Sequence, residues 1–154
     1  MIAEMALRFP EDTSVQTNYL PSLRAFVSLA SRQPAQALEA LAANTPYEHA
    51  RPALAFYWSF GGRYLAYLKG VALLAHGQPR EAAAAFEALL NRRGLLLADP
   101  LGALARVQLG RAYAKAGDNQ SARAAYESFF ELTKNADARL LLATEARREF
   151  SQLK

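Results

Sequence analysis

Apolar residues in this chain recur at three- and four-residue steps through most of its length. That is the period of an α-helix with one buried face. From Thr13 to Ala30 the series is Tyr19, Leu20, Leu23, Phe26, Val27 and Ala30, with Pro21 inside it predicting a kink or a first turn. Ser31-Arg32-Gln33-Pro34 reads as a turn, and Pro34 suits the start of a helix whose buried face is Ala37, Leu38, Leu41 and Ala42. Tyr64 to Ala75 is a second such opening helix, with Tyr64, Tyr67, Leu68 and Val71 on one side. It is closed by His76-Gly77-Gln78-Pro79 and followed by a helix from Arg80 to Asn91 carrying Ala82, Ala83, Phe86, Leu89 and Leu90. Leu101 to Ala116, the Gly117-Asp118 turn and Gln120 to Lys134 give a third pair, with Asp118 or Asn119 as a cap. A last helix, Ala138 to Leu153, buries Leu141, Leu142, Ala146, Phe150 and Leu153 and turns Arg139, Glu145, Arg148, Glu149 and Lys154 to water. Residues 1–9 read as the end of a helix stopped by Pro10, a remnant of a preceding repeat, so a longer protein is expected.

The three pairs share one spacing rule. Ala25, Gly70 and Gly110 are each followed twelve positions later by Ala37, Ala82 and Ala122, and four further on by Leu41, Phe86 and Tyr126. Antiparallel helices approach closely only where a small residue faces the partner, and the large residue one turn later is expected to fill the space between successive pairs. A single pair cannot bury both faces, so pairs must stack. The offsets between pairs are 82 − 37 = 45 and 122 − 82 = 40, and the surplus falls in the connections at 44–60 and 93–100.

The first of these connections holds Pro46, Pro52, Tyr47, Phe56, Tyr57, Trp58 and Phe60. Loops are normally polar, so these aromatics have two readings. The segment fills a groove as a plug, or Tyr57 and Trp58 protrude as anchors for a partner.

Composition removes several classes of function. There is no cysteine, and the two histidines, His49 and His76, lie in different connections without metal-ligand spacing, so no metal and no cofactor are expected. Net charge is +4, but the longest basic runs are the pairs Arg92-Arg93 and Arg147-Arg148, which make no stripe for nucleic acid. No apolar run reaches the roughly 20 residues of a membrane span. Glu145 and Glu149 share a helix face beside Arg148 and read as a solvated cluster rather than an acid/base pair. No nucleophile and base stand together, so no enzymatic activity is expected of this segment.

Leu109-Gly110-Arg111-Ala112-Tyr113 resembles the L-G-x-x-Y core of the tetratricopeptide repeat, whose plain period is 34 residues. Arg32 stands where that repeat usually has a turn glycine. The resemblance implies an all-α fold, a tetratricopeptide-like α-solenoid of three helix pairs plus a C-terminal capping helix. It would form a single domain over 1–154, with repeats at 13–43, 61–92 and 101–134 and the cap at 138–153. The runs Asp99-Pro100-Leu101-Gly102-Ala103-Leu104-Ala105-Arg106, Ala124-Ala125-Tyr126, Ala136-Asp137, Tyr19-Leu20-Pro21 and Arg92-Arg93-Gly94 are similar to the C-terminal tetratricopeptide regions of acidobacterial serine/threonine protein kinases. Related tails follow winged-helix regulators. Neither a G-x-G-x-x-G loop nor H-R-D nor D-F-G is present, so the segment itself transfers no phosphate.

In this repeat class one face of each first helix lines a concave groove. By register it receives Tyr19, Ser22 and Phe26, then Tyr64, Tyr67, Val71 and Leu74, then Leu104, Val107, Arg111 and Lys115, aromatic at one end and basic at the other. The expected function is a protein- or peptide-binding scaffold or sensor segment of a larger bacterial signalling protein. The expected location is either the extracytoplasmic part of a membrane-anchored parent or the cytoplasm. The alternatives are self-association through Ile2, Met5, Ala6 and Phe9, and an apolar small-ligand site.

Overall fold

The computed structural model describes residues 1–42, 62–91, 96, 99–137 and 140–153, and every regular element among them is helical. The aromatic connection with Tyr57, Trp58 and His49, and the run Arg92-Arg93-Gly94, lie outside the described residues. The chain divides into two compact units, Met1–Gln78 and Pro79–Lys154, and the division falls within the stretch expected as the second repeat.

The N-terminal unit holds α1 (Ile2–Arg8), a π-helical turn (Val15–Tyr19), α2 (Leu20–Ala30), α3 (Pro34–Ala42) and α4 (Arg63–Ala75). Pro21 explains the π turn. It has no N–H to give the carbonyl four residues earlier, and the chain widens by one residue ahead of it, so that Leu20 N–H reaches the Val15 carbonyl. Gln16 Nε2 ties this turn to α1 by donating to the Phe9 carbonyl at 2.8 Å. Helices α2, α3 and α4 pack on one another around Ala25, Ala37, Leu41, Leu65 and Ala72.

The C-terminal unit holds α5 (Pro79–Asn91), α6 (Leu101–Ala116), α7 (Asn119–Leu132) and α8 (Leu141–Ser151). Helix α6 packs against both α5 and α7. Gly110 is the contact point with α7: a Cβ built there would stand 2.7 Å from Tyr126 Cε2. The Asp118 carboxylate caps α7 by accepting the Ser121 N–H at 3.0 Å. Tyr113 on α6 donates its hydroxyl to Glu87 on α5 at 2.5 Å.

All nine residues of the spacing rule are buried. The turn after each opening helix repeats as well. Arg32, Gly77 and Gly117 have φ of 57°, 84° and 83°, and 77 − 32 = 45 and 117 − 77 = 40. The closing bonds Gln33 N–H to Ser28 O, Gln78 N–H to Leu73 O and Asp118 N–H to Tyr113 O keep the same two offsets. Each is the six-to-one bond of a Schellman end. The sequence register of 45 and 40 is thus a backbone register, and the fold is all-α and tetratricopeptide-like.

Candidate functional site

In the N-terminal unit the expected groove residues fall on two adjoining helices. Tyr19 and Phe26 are 41% and 63% exposed, and Val27 is 52% exposed. With the half-buried Leu23 and the exposed Ala30 they make one outward stripe at three- and four-residue steps along α2. Of the apolar series only Leu20 is buried, together with Pro21 and Ala25, so most of that series faces outward. Alanine is enough to make a core face where another helix comes close, so the larger residues are left outside.

Helix α4 packs against α2. On it Tyr64, Tyr67 and Val71 are half-buried, and Leu74, the next position of the series, is buried.

In the C-terminal unit the expected basic end takes a different form. Val107, expected in the groove, is wholly buried among Tyr126, Phe129, Ala143 and Ala146. The register argument left that face of α6 open, but the alanines of α8 cover it. Leu104 is half-buried, and Lys115, in the last turn of α6, is exposed.

Arg111 is engaged by α8. Its Nε donates to Glu149 Oε2 at 2.9 Å and Oε1 at 3.1 Å, and its Nη2 donates to Glu149 Oε1 at 2.8 Å and to Glu145 Oε2 at 3.3 Å. The Tyr126 hydroxyl donates to Glu149 Oε2 at 2.7 Å. Glu145 and Glu149, expected to face water, are therefore spent inside the unit.

The titrations follow from this geometry. The hydrogen bonds to Glu149 raise the Arg111 pKa against the effect of burial, with the two glutamate charges adding to the rise. Burial pushes Glu149 up, but the Arg111 and Tyr126 hydrogen bonds and the nearby guanidinium charges outweigh it and hold the carboxyl below its ordinary value. Burial, then the bond to Glu149 and its charge, push the Tyr126 hydroxyl up. Tyr113 is raised to about 12, chiefly by its bond to Glu87.

The last helix has a second fastening. Phe150 meets Tyr126 and Phe130 edge to face at 6.4 and 5.6 Å, and the Arg123 guanidinium lies 5.0 Å over its ring. Arg123 also donates to the Leu153 carbonyl. The C-terminal unit thus answers its own cation with its own carboxylates, while the N-terminal unit leaves a large apolar stripe in water.

Among the described residues no cluster of three or more His, Asp or Glu could hold a metal ion, and no helix is long and apolar enough to cross a membrane.

Residues 67–136 match the family model of the tetratricopeptide repeat. That stretch contains the second and third spacing sets and runs from α4 to just beyond α7. Repeats of that family generally mediate protein–protein interaction. No curated protein and no solved structure gives a match to the chain.

Proposed function

We propose that this chain is a non-catalytic docking module that holds a protein or peptide partner on the face formed by Tyr19 at the head of α2, Phe26 on α2, and Tyr64, Tyr67 and Val71 of α4. The observation that carries the reading is Phe26, a phenylalanine 63% exposed in the middle of a well-formed helix. Aromatic anchors of this kind supply most of the energy at protein interfaces, and a contiguous apolar stripe in water marks an interaction site. The resemblance to kinase-associated tetratricopeptide regions supports placing the module in a larger bacterial signalling protein, a serine/threonine kinase or a winged-helix regulator.

The test is capture of the natural partner by the full chain and by a Tyr19→Ser/Phe26→Ser variant with unchanged circular dichroism. The partner is retained by the first and lost by the second. Recovery of the same proteins by both would count against the face.

A second reading, self-association through the N-terminal helix, is favoured by Leu7 and Phe9, which are exposed at the end of α1. Light scattering over a concentration series decides it: a mass that stays monomeric removes this reading.

A further inference from the structure

The α2 stripe restricts its occupant, and the inference rests on the docking face proposed above. Tyr19, Leu23, Phe26, Val27 and Ala30 lie within twelve residues, about 16 Å or three helical turns. Apart from the Tyr19 hydroxyl the stripe offers no side-chain hydrogen-bonding group, and the N–H and C=O groups of α2 are spent within the helix. An extended segment laid here would lose water from its own backbone groups and find no partners for them. A helix brings its backbone already satisfied, so a helix with an apolar stripe of matching length fits.

Charge then restricts its flanks. From Thr13 to Gln33 there is no Asp or Glu, and the only cationic residues are Arg24 and Arg32. Both are exposed, and neither is paired with a carboxylate among the described residues. Arg24 sits one turn before Val27 at the side of the stripe, and Arg32 sits just past its end. Arg111 offers a partner no comparable charge, because α8 has already supplied its carboxylates.

We propose that the occupant of the α2 face is an amphipathic helix of a partner protein, apolar along three turns and acidic along the edge that meets Arg24 and Arg32. The probes are two synthetic fifteen-residue helical peptides with the same leucine stripe, one flanked by glutamates and one by lysines. Their binding to the full chain is read by fluorescence anisotropy.

The glutamate-flanked peptide binds about tenfold more tightly at low salt, as two exposed ion pairs gained against two repulsions require. The difference shrinks at high ionic strength. Phe26→Asp weakens it at least tenfold, whereas Leu132→Asp, at an exposed leucine of the C-terminal unit, leaves it unchanged. Equal binding of the two peptides, both lost in Phe26→Asp, would overturn the acidic edge and leave the docking face standing. Binding indifferent to Phe26→Asp, or no binding of either peptide, would overturn the inference.

Discussion

Two backbone positions carry most of what a single residue decides here. Gly110 has no room for even a methyl group, because the ring of Tyr126 stands 2.7–2.9 Å from where a Cβ would be. Tyr126 is itself fully buried and held by Glu149, so it cannot step back. Gly110→Ala therefore lowers stability by about 1–3 kcal/mol, the usual cost of overpacking, read as a lower denaturation midpoint at unchanged slope. Arg32 is the opposite case. It occupies the left-handed region at φ 57°, where Gly77 and Gly117 do the same job at the corresponding turns. A side chain there costs about 1–2 kcal/mol, partly offset by the flexibility that glycine adds to the unfolded chain. Arg32→Gly raises stability by about 0.5–1 kcal/mol. A lower melting temperature would show that the arginine side chain earns its place by a contact.

At the scale of elements, the sequence told helix from turn well and one face of a helix from the other poorly. Ala25, Ala37, Ala82 and Ala122 were legible because a recurring small residue at fixed spacing has few causes other than close helix approach. On α2 the period by itself carries no sign, because the buried side is built from Leu20, Pro21 and Ala25; only the repeat register set Tyr19 and Phe26 outward. The role of α8 was hidden for another reason. Arg111 meets Glu145 and Glu149 across 34 and 38 residues, and no local pattern announces a contact that far away.

That contact predicts a pH dependence. Glu149 has a lowered pKa in the folded chain, so its contribution is present above the ordinary glutamate value and is lost as pH falls through the folded one. Glu149→Gln costs about 1.5 kcal/mol near neutral pH, the lower range for a hydrogen bond to a charged group. It also flattens the acid limb of a plot of melting temperature against pH below about 4.5. An unchanged acid limb would mean that the ion pair contributes nothing to holding α8.

Across the whole molecule the two compact units have different chemistry. In the C-terminal unit Val107 is roofed by α8, Arg111 is neutralised and Phe150 is sandwiched between aromatic edges and a guanidinium, while Leu132 and Leu141, the latter expected on the buried side of the last helix, stay exposed. The N-terminal unit exposes Tyr19, Phe26 and Val27 together with Arg24 and Arg32, which have no carboxylate beside them among the described residues. A partner is therefore expected to engage the N-terminal unit. The most direct measurement is the affinity of the captured partner for two variants side by side, Phe26→Ser and Arg111→Met. Phe26→Ser loses at least tenfold in Kd with its melting temperature unchanged, while Arg111→Met keeps its affinity and melts several degrees lower. The reverse pattern, with binding lost in Arg111→Met and kept in Phe26→Ser, would contradict the account.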